Sequence, residues 1–536
     1  MAFIKIQKLK YNGDGTIKSG SASIVESKYV RGEKNHSRQV VRERLGKIIS
    51  LSSDKKSGVF LSPTRGLIEY DSKTDSFSTV PLKDSRLSDR KIFAEPEIHT
   101  VFGDSYLFLC FLKNEGILDI LRTVFPKNRD YERILCHAIH GILKDGSRSS
   151  CDGFLAKSFA SYLLTDVPQN SLHSDTRFSM MMGDDKTKIK FFTTFVKAMR
   201  RKDPQFGKGC YVDSTPLPND ITDNPFNALS CHGVASSSVQ IRLALVLDEK
   251  TGLPVWYDII PGNVLDISTI SNIINDVAES VDVEIDSLIL DAGYVSRELI
   301  QTFHNGSEKY IIGRMPARRG YPFKTLYWEE KGKLFKGKYR FMRNKHTYFG
   351  VKRKIELFNQ ELFAYIYLDQ NNALAGFQNY YLQNEEEYEA MKDRDKDWLT
   401  VKYGYFVLIS NKDETPKDLL TEYFERTQIE SVFKTSKDYL KLLPLSKWTD
   451  QTVRGKILHD IINTIILLTI RKFTLNTGAS VSSVIERTQS LMCCKTRSGN
   501  VNVEMPSKQC KHYYDLFNVS IPSSLNIEKF KKEILL

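Results

Sequence analysis

The sequence predicts an α/β protein: a mixed sheet with flanking helices, interrupted by a β-rich insertion and preceded by a basic N-terminal region. Three observations predict it. Between residues 209 and 314, short apolar runs alternate with segments of helical spacing, the pattern of a mixed α/β sheet. The stretch 315–402 breaks that pattern with aromatic-rich, β-like sequence. A core-type apolar run, YGYFVLIS at 403–410, then resumes it, and a capped helix follows from Thr415.

At about 100–200 residues per domain, 536 residues leave room for about three domains and a large core. Hydrophobic residues make up 41% and charged residues 26%, a composition that excludes a disordered chain. Lys and Arg number 77 against 65 Asp and Glu, a net charge of +12. Such a surplus favours a polyanionic partner. The eight cysteines (Cys110, Cys136, Cys151, Cys210, Cys231, Cys493, Cys494 and Cys510) have no disulfide-scaffold spacing, which points to a reducing compartment. Cys493, Cys494, Cys510 and His512 match no standard zinc spacing. Residues 1–10 lack the apolar core of a signal peptide. The most apolar later stretch, 457–470, contains His459, Asp460 and Asn463 and is too short to span a bilayer. It reads as a buried helix, so a cytoplasmic protein with no membrane partner is expected.

Residues 1–130 form the basic N-terminal region. Its first fifty positions carry eleven Lys/Arg and four Asp/Glu, a net of +7. A DNA-contacting arm and a solvated basic edge both fit that charge. No helix-turn-helix is recognisable there, so DNA-end recognition is assigned by position and charge alone. Residues 131–205 turn helical, with Ile134, Ala138, Ile142 and Leu143 at helical spacing and Phe191, Phe192, Phe195 and Met199 likewise. The first core part spans 206–314. It holds strands at 209–215, 239–248 and 252–260, then a turn at Pro261-Gly262-Asn263. A helix at 266–281, a buried strand at 287–290, a Ser296-capped helix to 303 and a strand at 309–313 follow. The insertion spans 315–402. The second core part, 403–475, holds the strand 403–410 and a helix from 416 to 440, with Thr415 as cap and Pro416 at its first position. Residues 476–536 are a C-terminal tail region.

Asp213 lies in the first short strand, where aspartate is depleted. Asp291 follows Leu290 at a strand's carboxyl end, where ligands of open α/β sheets gather. A strand-end Asp also commonly serves as a turn or cap residue. In the helix at 416–440, Tyr423, Arg426, Glu430 and Lys437 are spaced by 3, 4 and 7. At about 100° per residue they fall within about 60° of one stripe. On the helix alone, a solvated face with an Arg426–Glu430 ion pair is the simpler reading.

The string Tyr423-x2-Arg426-x3-Glu430-x6-Lys437 resembles the Y-x2-R-x3-E-x6-K signature of insertion-sequence transposases of the DDE class. Asp213-Ser214-Thr215 is similar to that family's first-aspartate motif, and Leu290-Asp291-Ala292-Gly293-Tyr294 to its second. The gaps of 78 and 139 positions between the acids suit members with a β-rich insertion before the glutamate. The resemblance covers about residues 205–470. It implies a ribonuclease H-like core, with the first Asp on the first strand, the second on the fourth and the glutamate on a later helix. It also implies that Asp213, Asp291 and Glu430 are catalytic and hold two Mg2+ ions, with Mn2+ able to substitute. Magnesium takes oxygen ligands, and two such ions about 3.5–4 Å apart activate a nucleophile and stabilise the leaving 3′ oxygen. Cut-and-paste transposition is the implied reaction: water cleaves at the transposon ends, and the freed 3′-hydroxyl attacks target DNA. Tyr423, Arg426 and Lys437 would hold phosphates, Arg426 by bidentate contact and Lys437 as a point charge. The implied partner is double-stranded DNA, as transposon ends and target. A homodimer assembled on that DNA and a bacterial, nucleoid-associated setting follow from the same resemblance.

Residues 331–354 carry ten Lys/Arg and no acid, interleaved with Phe335, Tyr339, Phe341, Tyr348 and Phe349. Cations with aromatics suit nucleic-acid binding, here through Lys336, Lys338, Arg340, Arg343 and Lys345. A twisted ribbon with packed aromatics and solvated lysines also fits. Trp328 suits a base wedge or a core position. His232 and His459 read as structural. Arg454 and Lys456 either extend a phosphate track or flank a helix start. The loop 227–238 is rich in small residues where many relatives are more charged. Two other functions stay open: a ribonuclease H-like nuclease without strand transfer, and a catalytically silent DNA-binding protein derived from a transposase. The presence of all three carboxylates argues against the second.

Overall fold

The computed structural model describes residues 2–13, 15–29, 37–63, 65–80, 99–144, 148–164, 172–219, 221, 224, 226–229, 239–264, 266–304, 309–434, 445, 447–496 and 499–536. The chain divides into two compact units, Met1–Pro96 and Glu97–Leu536.

The first unit is an antiparallel meander. Its strands are β1 (Ala2–Tyr11), β2 (Ile17–Tyr29), β3 (Ser37–Leu51), β4 (Ser57–Ser62), β5 (Gly66–Asp71) and β6 (Ser76–Thr79), hydrogen-bonded in that order. Successive side chains of a strand point to opposite faces. One face therefore gathers Ala22, Ile24, Leu45, Ile48, Phe60, Ile68 and Tyr70 into a core. Lys5, Gln7, Arg44 and Lys47 stay exposed.

The second unit begins with β7 (His99–Val101) and a helical body: α1 (Gly103–Asn114), α2 (Ile117–Val124), α3 (Asn128–Leu143), α4 (Cys151–Leu155), α5 (Leu172–Met182) and α6 (Asp185–Lys202). The sheet region follows with β8 (Gly209–Pro218), β9 (Ala228–Leu229), β10 (Val239–Asp248), β11 (Pro254–Pro261), α7 (Asp266–Val281), β12 (Ser287–Leu290), α8 (Arg297–His304) and β13 (Tyr310–Arg314). Next come α9 (Phe323–Glu330), β14 (Arg340–Arg343), β15 (His346–Leu357), β16 (Gln360–Asp369), α10 (Gln370–Gln383), α11 (Glu385–Ala390), α12 (Asp393–Lys402) and β17 (Tyr405–Ser410). The chain closes with α13 (Pro416–Glu425), α14 (Thr427–Lys434), α15 (Asp450–Thr474), α16 (Val481–Gln489), β18 (Met492–Lys495), β19 (Asn500–Val503), α17 (Lys508–Leu516), β20 (Ser524–Asn526) and α18 (Ile527–Leu535).

One ten-stranded mixed sheet organises this unit, in the order β11-β10-β8-β12-β13-β17-β16-β15-β14, with β9 beside β10. β8 and β12 are parallel, as are β12 and β13. The other ladders are antiparallel. β10 is a nearly unbroken apolar run because both its faces are covered. Residues 315–402 are sewn into this sheet: β16 pairs with β17, and β15 and β14 extend it. Two cores lie on opposite faces of the extension. Leu362, Ala364, Ile366, Leu368, Tyr405, Val407 and Ile409 join one, while Tyr365, Tyr367, Phe406 and Leu408 join the main core. Gly350 lets α13 dock on β15, since a Cβ there would stand 2.9 Å from Pro416.

The helix expected over 416–440 is broken at Arg426 into α13 and α14. The Arg426 amide bonds back three residues to the Tyr423 carbonyl, and the Ile429 amide likewise to Arg426. The Thr427 hydroxyl donates to the Phe424 carbonyl, the local competition that bends helices. The stretch 457–470 is the buried middle of α15, as its apolar pattern requires. Residues 476–536 pack on the helical body. β18 pairs with β7, the Tyr514 hydroxyl donates to Gly103 O at 2.6 Å and Tyr131 to Ile534 O at 3.0 Å. Among the described residues no helix is long and apolar enough to cross a membrane.

Candidate active site

Strand register brings the two aspartates together. Leu290 of β12 stands opposite Val212 of β8. The next residues are Asp291 and Asp213, on neighbouring parallel strands about 4.8 Å apart. Both point to the face opposite Val212 and Leu290, where α14 packs on β8. The Ser214 amide donates to Asp213 Oδ1 at 2.8 Å.

Above them, Tyr423 is buried near the end of α13 and Arg426 sits at the helix break. Arg426 Nη1 donates to Asp213 Oδ2 at 2.9 Å, and the two side chains are only 13% and 22% exposed. The Tyr423 hydroxyl donates to Asp291 Oδ1 at 3.4 Å. Burial, opposed by Arg426 and helped by Asp291, pushes the Tyr423 phenol up to about 12, so it stays a donor. Burial disfavours the Arg426 charge, but Tyr423, Asp213, Asp291 and Glu430 outweigh it and raise its pKa above the ordinary value. One guanidinium thus feels all three carboxylates. Its Nε is buried, with no hydrogen-bond partner among the described residues.

Glu430 is exposed on α14. Among the described residues, no three His, Cys, Asp or Glu side chains stand close enough together to hold a metal ion. The structure therefore unites Asp213, Asp291, Tyr423 and Arg426, and brings Glu430 in only through its charge on Arg426. All-oxygen donors suit a hard divalent cation, and the Asp213–Asp291 pair fits one. Lys437 and His232 lie outside the described residues, as does most of the loop 227–238.

The ribbon residues divide. Lys336, Lys338, Arg340 and Lys345 are exposed. Arg343 is half-buried, with its guanidinium 4.7 Å from the ring centre of Phe424 on α13. Of the five interleaved aromatics only Phe335 is exposed, at 53%, and Tyr348 and Phe349 are buried at 6% each. The aromatics mainly pack. Trp328 packs at the edge of the second core, against Tyr327 and under Arg394. Arg454 pairs with Asp450 and Asp185, and Lys456 with the buried Asp460, so both cations are committed within the fold. His459 is buried between Arg148 and Asp460.

Sequence reading missed Arg314. Gly313 of β13 stands opposite Leu290, so Arg314 is the next member of the row Asp213–Asp291–Arg314. Its only signal was an arginine ending the strand KYIIGR.

The transposase DDE domain family matches residues 204–460. A solved chain from a cryo-EM structure of a piggyBac transposase synaptic complex with hairpin DNA aligns at 12% identity and a TM-score of 0.33. The alignment covers 81% of this chain and 76% of that one. No curated protein matches the chain. Through residues 204–460, with both aspartates and the Tyr423–Glu430 segment inside them, the chain carries a transposase DDE domain.

Proposed function

We propose that the protein is an active DNA transposase that cleaves at transposon ends and joins the freed 3′-hydroxyl to target DNA. One observation carries the reading: two aspartates at the ends of adjacent parallel strand segments face a helix break flanked by Tyr423 and Arg426, with Glu430 one turn further on α14. The sheet supports a ribonuclease H-like core, since Asp213 lies on the first long strand of the sheet and Asp291 directly after the fourth. Asp213 and Asp291 would hold magnesium, with manganese as a substitute, and Glu430, the third acid of the signature, would have to close on them to complete a two-ion site. Bound there, the ions supply Lewis acidity to the attacking and leaving oxygens. Arg426 and Tyr423 orient the aspartates and offer donors to a phosphate, Arg426 through its planar fork. Lys437 is assigned to phosphate by its place in the signature. Lys336, Lys338, Arg340, Arg343 and Lys345 form the basic ribbon that contacts DNA.

The first unit supports an end-recognition role. Residues 1–96 hold 19 Lys/Arg against 11 Asp/Glu, a net of +8 out of +12. Pairing of two ends calls for a homodimer on DNA.

A cleavage assay on the DNA flanking the gene, with and without magnesium, tests the reading. Metal-dependent nicking lost in Asp213→Ala is the expected result. Metal-independent nicking, or an intact rate in that variant, defeats it. Joining of pre-cleaved ends to target separates a transposase from a nuclease of the same fold.

A further inference from the structure

Arg314 shares a row with the two aspartates, and its side chain is exposed. Its guanidinium sits 5.6 Å from the ring centre of Phe406 on β17. Phe406 in turn lies 6.5 Å from Phe424, whose face Arg343 covers at 4.7 Å. Among the described residues no carboxylate pairs with Arg314 or Arg343. Four neighbouring cations of 315–402 are committed: Lys331 to Asp397, Lys333 to Glu330, Lys352 to Asp413 and Arg353 to Glu329.

Resting on the proposed function, we infer that Arg314 and Arg343 are an aromatic-backed phosphate clamp, and that the bound DNA strand runs from the aspartates to the ribbon past the end of α13 that carries Phe424. A guanidinium backed by a ring keeps its outer N–H donors free and pre-aimed. Phosphates are the groups such a fork recognises. The path has a direction because the charges are ordered along one face. The two acids on β8 and β12 come first, then Arg314 on β13, Phe406 on β17 and Arg343 at the end of β14. Six strand steps of about 4.8 Å span about 29 Å. Arg314 is a substrate-positioning residue in this scheme.

The test is duplex binding by the full-length chain, with DNA taken from the element's end, in chelator and across a salt series. Each phosphate contact contributes about 0.9 to the slope of log affinity against log salt. Arg314→Gln is expected to reduce the slope by about 1 and to slow magnesium-dependent cleavage at least about tenfold. Arg314→Lys is expected to restore the slope. Lys511→Gln, an equal charge loss at an exposed position of α17, sets the background. An unchanged slope in Arg314→Gln, a loss no larger than that of Lys511→Gln, or no rescue by lysine overturns the inference. A stacking role alone would move the melting temperature of Arg314→Gln and Phe406→Leu but not the salt slope. The binding arm uses no metal, so it stands apart from the catalytic reading. If Asp213→Ala abolishes cleavage while Arg314→Gln matches the intact protein, the clamp fails alone. If Asp213→Ala cleaves normally, the catalytic reading fails.

Discussion

Two parts of the ten-stranded sheet, the paired aspartate strands and the ribbon edge, use charge in opposite ways. At β8 and β12, opposite charges are concentrated: Asp213 and Arg426 pair at 2.9 Å and are mostly shielded from water. At β14, like charges are spread: Lys336, Lys338, Arg340 and Lys345 are exposed and unpaired with acids among the described residues. A shielded charge without its partner is costly, whereas a solvated one costs little to remove. Losses at the aspartate strands should therefore be local and large, and losses at the ribbon edge small and additive.

The widest gap should show in catalysis. Asp291→Asn is expected to lower magnesium-dependent cleavage by at least about a thousandfold, as removing a central member of a catalytic unit does. Single ribbon substitutions should leave the rate within about tenfold. A ribbon variant as inactive as Asp291→Asn would erase the contrast.

Stability should separate the two parts next. Arg426→Ala leaves Asp213 shielded without its partner and should cost about 1–3 kcal/mol in denaturant unfolding. Lys336→Gln with Lys338→Gln should stay within about 0.5 kcal/mol. Equal losses would mean the Arg426 pair is no more than a surface contact.

Acid sharpens the comparison further. Burial holds His459 down to about 4, with Arg148 adding to it, and burial and Lys144 hold His140 down to about 4. Both lie in the helical body and α15, away from the ribbon. An unfolded histidine titrates near 6.5. Between pH 6.5 and 4 the unfolded chain binds more protons, so stability must fall as pH falls through that window. Melting temperatures at pH 7 and pH 5 check the sign, and His140→Gln should flatten the slope. A steeper slope in that variant would contradict the assignment.

The smallest effect belongs to the ribbon's salt response. Lys336→Gln with Lys338→Gln should reduce the salt slope of DNA binding by up to about 2 and change nothing in melting. No change in slope would remove the ribbon from the DNA path.

How much of this was legible follows from what a sequence encodes. Apolar runs with turn signals located β10, α7 and β12 at the bounds the structure has. β8, β11, β13, β17 and α8 differ from expectation by one to three residues at their ends. Asp291 was visible because it ends an apolar run. The break at Arg426 was hidden because apolar spacing continues through it; it depends on one hydroxyl, Thr427, reaching back to a carbonyl. Arg314 was hidden because a row across three strands is a matter of register, and positions 213, 291 and 314 carry no mark of sharing one. The pairing of β14–β16 with the core was hidden for the same reason, since strand pattern does not name its partner. The gap between Glu430 and the aspartates was equally out of reach, because spacing fixes a stripe on a helix but not where the helix bends.

The junction of β16 with β17 has a practical consequence. β17 is buried at every position, Tyr405 through Ser410, and one side of its backbone is covered only by β16. Trimming 315–402 away would leave β13 and β17 paired but bare a sticky, apolar border of six residues, the kind of border along which sheets of different molecules zip together. A shortened version of this protein should precipitate before it reports on catalysis, so the ribbon is better silenced residue by residue than cut out.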